Sequence, residues 1–447
     1  MIALAAAIAL ALPAPEPVAI RHVSVVNVAN GRIQKDVTVL LADGAITAIG
    51  KSVPIGNANV VDGAGKFLIP GLWDMHVHCC NAGDHFFPLF LANGVTGIRD
   101  MFGPLDELKT LRASVENGTL LGPRMVFSGP IVDGPKPVWP GSIAVGTPAE
   151  GRKAVQTVQQ SGADFVKVYS LLPRDAYFAI ADEAKKRHMV FAGHVPDLIT
   201  ATEASDAGQK SFEHLLSVVR GCSSKEAELL AAPDQTPRMK LRRIRGMLES
   251  YDPAKAKALF ARIRRNGTWQ CPTLTVLNSM AHLDDPAFRN NPRLSYMPDG
   301  FTSSWNPTND FRFKVLTHDD FESSRLLFAK QCEVVGMMAR SGVGILAGTD
   351  TPNPYCFPGF GIHDELALLV KCGLTPRQAL QAATINPARY FGWELKMGTV
   401  QVGKVADLVL LDANPLKDIH NTTKIAAVFV RGRQMDRAAL DQMLKHK

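Results

Sequence analysis

Residues 68–78 read LIPGLWDMHVH: an apolar run, a Pro70-Gly71 turn, then a short strand-like stretch ending in two histidines. In an extended strand, residues two apart face the same side. His76 and His78 therefore project together, at a spacing suited to one metal ion. Seven further short apolar runs follow, at 94–102, 123–132, 163–170, 189–196, 210–217, 268–276 and 342–351, most of them separated by stretches of helical composition. Eight such repeats predict an α/β fold, a (β/α)8 TIM barrel over residues 69–396, with side chains at the C-terminal strand ends meeting at one mouth. Residues 277–340 are rich in Pro, Asn, Asp and aromatics and follow the seventh run. They are expected to form an insertion on the active face, a lid or substrate wall.

Outside the barrel the texture changes. Residues 18–68 contain short β-branched runs (VSVVNV, VTVLLADG, AITAIG) broken by Gly, Asn and Asp, and a similar block fills 397–434. These read as antiparallel strands. Both ends of the chain are expected to close into one small discontinuous β-sandwich domain. Residues 1–16 begin MIALAAAIALALPA, apolar and small, with an A-x-A site at residues 9–11. That segment resembles the apolar part of a secretory signal without its basic n-region, so a periplasmic or secreted protein is expected, with a cytoplasmic one as the alternative.

Composition removes several classes. Hydrophobic residues make up 46% and charged residues 20% of 447, which excludes a disordered chain, a collagen-like repeat and a coiled coil. No internal run approaches the ~20 apolar residues of a membrane span. A net charge of +7 spread over the chain, without zinc-finger spacing or a basic stripe interleaved with aromatics, gives no nucleic-acid partner. The basic run at 238–245, with Arg262, Arg264 and Arg265, reads as a solvated helix face. Seven cysteines do not define a disulfide framework, and Cys79-Cys80 reads as packing. No G-x-S-x-G elbow points to a serine hydrolase.

Further chemistry-bearing residues end other runs. Lys167 sits inside the apolar strand FVKVY, where a lysine is rare unless paired or modified. His194, His214 and Asp350 end the fifth, sixth and eighth runs. Four imidazoles and a carboxylate suit zinc or another first-row divalent ion. Tyr169 shares a face with Lys167 and is a candidate substrate contact, with packing at the rim as the equal alternative. Arg99 is a candidate for a substrate carboxylate, although a structural network with Asp100 is the better reading. His85, His188, His282, His318, His363 and His420 read as surface or structural.

In order, PGLWDMHVH, FVKVY, AGHVP, FEHLL and AGTDT resemble the binuclear-metal amidohydrolase superfamily. The residues 374–393 and 398–412 are similar to its imidazolonepropionase-like and Xaa-Pro dipeptidase branch. The resemblance implies two divalent ions, zinc, with His76, His78 and Asp350 on the more buried one and His194 and His214 on the second. It implies that Lys167, N-carboxylated, bridges them. It further implies a metal-bridging hydroxide as nucleophile and Asp350 as the catalytic acid and base. The expected reaction is cleavage of a C–N amide bond in a small substrate, a dipeptide or N-acyl amino acid. A cyclic amide, carbamate or urea is the alternative, as is an imidazolonepropionase-like mononuclear site, against which the in-strand lysine argues. A non-catalytic metal-binding protein on the same scaffold is disfavoured because all six positions are filled. Val195-Pro196-Asp197 departs from the dipeptidase pattern and puts dipeptide specificity in doubt. A homo-oligomer is expected.

Overall fold

The computed structural model describes residues 15–78, 82–231 and 244–445. Most of the apolar leader, Cys79-Cys80 and residues 238–243 of the basic run lie outside them. The chain opens with β1 (Val18–Val26), β2 (Ile33–Ala42), β3 (Ala45–Gly50), β4 (Asn59–Asp62) and β5 (Phe67–Pro70). Next come β6 (Leu72–Val77), β7 (Val95–Asp100), β8 (Arg124–Phe127), β9 (Ile131–Asp133), β10 (Ile143–Ala144), β11 (Phe165–Val168), β12 (Val190–Gly193), β13 (Ser211–Glu213) and β14 (Trp269–Cys271). It returns in β15 (Leu408–Leu411), β16 (Ile425–Val430) and β17 (Arg433–Asp436).

The two chain ends share one eight-stranded sheet, ordered β17-β16-β15-β5-β1-β2-β3 with β4 also beside β1. Two-residue turns set the register of its hairpins. Asp43 and Gly44 join β2 to β3 with φ of 52° and 74°, and Arg431 and Gly432 join β16 to β17 with 48° and 78°. Positive φ at both turn positions matches the twist of paired strands. The chain ends meet where β15 runs antiparallel to β5, Leu408 opposite Pro70 and Leu411 opposite Phe67. Val18, Ile20, Val37, Val39, Leu68, Leu408, Leu410 and Phe429 then bury one common apolar core drawn from both ends.

Between these ends the fold is TIM-barrel-like. Parallel strands form two sheets, β6-β7-β8 and β10-β9-β11-β12-β13-β14. The run expected as one third strand is broken between β8 and β9 around Gly129, whose φ is 69°. The eighth run, 342–351, is not a regular strand. It pairs as isolated bridges, Ile345 with Gln270 and Thr351 with Val77. Its backbone nevertheless bonds both neighbours: Leu346 N–H to Gln270 O at 2.8 Å, and Met75 N–H to Ala347 O at 2.9 Å. Two of its glycines let neighbouring side chains close on it. A Cβ at Gly344 would fall 2.4 Å from the Trp269 ring, and one at Gly348 2.8 Å from His76 Cβ, so side chains of other strands occupy the space a side chain here would fill.

Helices such as Leu105–Glu116, Pro148–Gln160 and Arg174–Lys186 connect the parallel strands. Pro148–Gln160 starts with a capping box, Glu150 N–H to Thr147 Oγ1 and Thr147 N–H to Glu150 Oε2. After β14 come the helices Leu274–Ala281 and Pro286–Arg289, two 3-10 turns, and the 23-residue helix His318–Arg340. Phe301, Trp305, Tyr355 and Phe357 pack ring against ring between this region and the segment after Asp350, mostly edge to face. A disulfide, Cys332–Cys372, ties the long helix to the end of the helix Phe360–Lys371. Among the described residues no helix is long and apolar enough to cross a membrane.

Candidate active site

His76 and His78 leave the end of β6 with their Nε2 atoms 3.3 and 3.0 Å from Asp350 Oδ1. His214 Nε2 lies 3.9 Å from Asp350 Oδ2. The His214 ring is 5.0 Å from that of His76 and 4.7 Å from that of His194. Lys167, on β11, is fully buried beside them. The six positions named from the sequence thus lie around one point at the C-terminal strand ends. His214 and Asp350 hold φ of 58° and 60°, and Thr273 beside them 51°. Non-glycine residues adopt this left-handed region at a cost of order 1–3 kcal/mol each, and such strain collects at functional sites.

Three of the four imidazoles are aimed by their other nitrogen, while His78 Nδ1 has no hydrogen-bond partner among the described residues. His76 Nδ1 meets Glu213 Oε2 at 2.9 Å, His194 Nδ1 meets Ser170 Oγ at 2.9 Å, and His214 Nδ1 meets Thr273 Oγ1 at 2.7 Å. A hydrogen bond at one ring nitrogen fixes the tautomer and frees the other for a metal. Asp74 does not join the cluster. It accepts from the Thr349 amide and hydroxyl and from the His76 amide, clamping β6 to the segment that carries Asp350. Burial pushes its carboxyl up to about 7 against those hydrogen bonds.

The donors fit a metal. His76, His214 and Asp350 each offer one ligand atom, all within 4.8 Å of one another. Lys167 Nζ is buried without a hydrogen-bond partner among the described residues, and His76 Nε2 has only Asp350 Oδ1, 3.3 Å away. Leaving such an amine dry costs a few kcal/mol unless something binds it. Burial draws the Lys167 ammonium down to about 8, against the pull of Glu213 and Asp350. Burial, then the nearby Lys167 charge, lowers His76, so its ring stays neutral and able to ligate. For Asp350, burial alone would raise the carboxyl, but His76, His78 and His214 hold it well below the usual range.

Tyr169 stacks on His194 with ring centroids 3.9 Å apart and accepts a hydrogen bond from Trp139 Nε1 at 2.9 Å, which leaves its own O–H free to donate. Arg99 is a correction to the substrate role considered for it. It is fully buried beneath the histidines and donates to Met75 O (2.6 Å), Ser211 Oγ (3.0 Å), Tyr390 Oη (2.9 Å) and Glu213 Oε1 (2.8 Å). Four of its five N–H groups are spent inside the protein. Glu213 and Ser211 were not singled out in the sequence, although Glu213 directly precedes His214. A cavity of about 370 Å3 lined by Arg264, Trp269, Gly344 and Arg389 lies at the opposite strand ends and holds none of these residues.

The sequence profile of the Amidohydrolase family matches residues 67–435. The imidazolonepropionase of Symbiobacterium thermophilum is 39% identical over 75 residues, a match spanning 17% of this chain and 17% of that protein. The ochratoxinase of Aspergillus niger is 23% identical over 416 residues, 79% of this chain and 71% of that protein. The structure of a Bifidobacterium longum protein described as a prolidase superposes with a TM-score of 0.71 at 26% identity, over 97% of this chain and 99% of that one. With strand-end histidines gathered around a buried aspartate and a profile match over most of its length, the chain belongs to the amidohydrolase family and is a hydrolase of carbon–nitrogen bonds.

Proposed function

We propose that this protein hydrolyses the amide bond of a dipeptide or N-acyl amino acid with two divalent ions, zinc, on a closed (β/α)8 barrel whose terminal sheet folds as a sandwich. The observation that carries this reading is the convergence of Asp350 with the imidazoles of His76, His78 and His214 beside the orphaned Lys167 amine. His76, His78 and Asp350 would hold one ion and His194 and His214 the other. Lys167 would serve both as a carbamate: its neutral amine adds to carbon dioxide, a C–N bond forms and a proton leaves. Bound divalent ions supply Lewis acidity toward a carbonyl oxygen and lower the pKa of a water toward ~7.

The remaining work falls to side chains. Asp350 accepts the proton of the attacking water and returns it to the leaving amine as the C–N bond breaks. The Tyr169 hydroxyl, oriented by Trp139, donates to the substrate carbonyl oxygen as negative charge grows there. Glu213 keeps the His76 proton on Nδ1. The partner is a small-molecule amide, and the apolar leader favours an exported protein.

The test is metal analysis joined to a substrate screen. About two zinc ions per chain are expected, with activity on a dipeptide and N-acyl amino acid library lost to chelator and restored by zinc. Lys167→Ala should lose two-metal loading, and carbon-13 bicarbonate should label the wild type with a carbamate resonance absent from the variant. A Lys167→Ala protein with full metal and full activity refutes the bridge. Turnover of cyclic amides, carbamates or ureas alone would move the assignment to those substrates.

A further inference from the structure

The substrate class proposed above carries a carboxylate beside the scissile amide, and Arg99 is too deeply committed to bind it. A different arginine stands at the mouth. Arg312 belongs to the 277–340 region and is 24% exposed, over a partner carboxylate, Asp310, that is 8% exposed. Its Nε and one terminal nitrogen grip Asp310 at 3.0 and 2.6 Å, and the other terminal nitrogen donates to Asn353 Oδ1 at 3.0 Å. Asn353 Nδ2 in turn donates to the backbone oxygen of Asp350 at 2.8 Å. On its other side the guanidinium carbon lies 5.7 Å from the centre of the Trp139 ring, and Trp139 is the residue that holds the Tyr169 hydroxyl. Arg312 is therefore tied to both walls of the site, one through Asn353 to Asp350, the other through Trp139 to Tyr169.

A guanidinium has five N–H groups. Among the described residues Asp310 and Asn353 take three, leaving one hydrogen on each terminal nitrogen. Those two hydrogens are what the guanidinium has left to offer the oxygens of a carboxylate. The Asp310 grip, the Asn353 bond and the Trp139 face fix the fork before substrate arrives, so little entropy is lost on binding. Apolar surface continues beside it: Phe311 is 55% exposed with its ring 6.0 Å from that of Trp139, and Val138 is 37% exposed.

We propose that Arg312 binds the free carboxylate of the substrate's amino-acid half, with Trp139 and Phe311 taking an apolar side chain of that residue. This rests on the amide-hydrolase reading and sharpens it to substrates with a free carboxylate and an apolar or aromatic amino acid on the leaving side. The test compares N-acyl amino acids with their C-terminal carboxamides, using zinc-loaded full-length protein. The wild type should prefer the free acid by ~30-fold or more in kcat/KM, through KM. Arg312→Lys keeps a cation beside Asp310 but loses the fork, and should lose most of that preference, read as the ratio of kcat/KM for free acid over carboxamide within the same variant. If removing the arginine leaves Asp310 uncompensated and the protein unstable, Arg312→Gln with Asp310→Asn keeps the volume and removes both charges, and should lose the same preference.

A wild type that hydrolyses acid and carboxamide equally overturns the assignment of Arg312 and leaves the hydrolase reading standing. So does a variant that keeps the full preference. A wild type that hydrolyses neither overturns the reading of N-acyl amino acids as substrates. Calorimetric binding of an N-acyl phenylalanine then decides the arginine separately, tighter to wild type than to Arg312→Lys if it binds the carboxylate, equal if it does not.

Discussion

Arg99 distinguishes a scaffold beneath the active site from a group that meets substrate. Replacing it with methionine keeps much of its length and removes four hydrogen bonds, to Met75 O, Ser211, Tyr390 and Glu213. Glu213 then stays buried with only Ser211 and His76 to satisfy it. Breaking one side of a buried ion pair costs about 3–5 kcal/mol. At ~2.1 cal/mol/K per residue, a chain of 447 residues has an unfolding entropy of about 0.9 kcal/mol/K, so the thermal midpoint should fall by about 3–5 °C. Because Glu213 aims His76, metal affinity should also weaken, by ~10–100-fold as for other groups that orient a ligand. The assays are scanning calorimetry at a fixed scan rate and zinc competition with a chromophoric chelator. Arg99→Met combined with Glu213→Gln should lose less stability than the sum of the singles, because no buried charge is left alone. An Arg99→Met protein with the wild-type midpoint and metal affinity, and only a raised KM, would refute this reasoning and return Arg99 to the substrate.

Three other outcomes are expected. Burial holds His363 neutral, down to about 4 from 6.5, with Nε2 facing the Asn93 carbonyl and Nδ1 near Thr422. The unfolded chain therefore takes up the proton first, so this contribution, about 3 kcal/mol, is complete above pH 6.5 and is lost as the pH falls to about 4. In urea melts across that window His363→Gln should flatten the decline by a similar amount, and an unchanged slope would contradict it. Gly193 has φ +133°, and a Cβ there would lie 2.2 Å from the Val168 carbonyl and 2.9 Å from Lys167 Cδ. Gly193→Ala should destabilise by about 1–3 kcal/mol and reduce metal loading, read by denaturation and metal analysis together. Tyr169→Phe should lower kcat by ~10–100-fold while zinc content stays at the wild-type level. An unchanged kcat would make Tyr169 a packing residue.

Much of this arrangement was legible along the chain because it is local. The pleat fixes which way His76 and His78 point whatever surrounds them, and a lysine between Val166 and Val168 signals a buried amine before any partner is known. The β-branched runs and Asp-Gly turn of the N-terminal block likewise specify strands and a hairpin. Other features depend on residues far apart. That Glu213 holds both His76 and Arg99 follows from neighbours 137 and 114 positions away. That positions 344 and 348 admit only glycine follows from the Trp269 ring over Gly344 and the His76 side chain against Gly348. Arg312 had no motif to mark it, since its role comes from Trp139 and Asn353, brought together only by the packed insertion. Side-chain direction is set by a few backbone dihedrals, whereas the partner of a buried charge is set by which distant segments share its volume. The first is written in neighbouring residues and the second only in the folded chain.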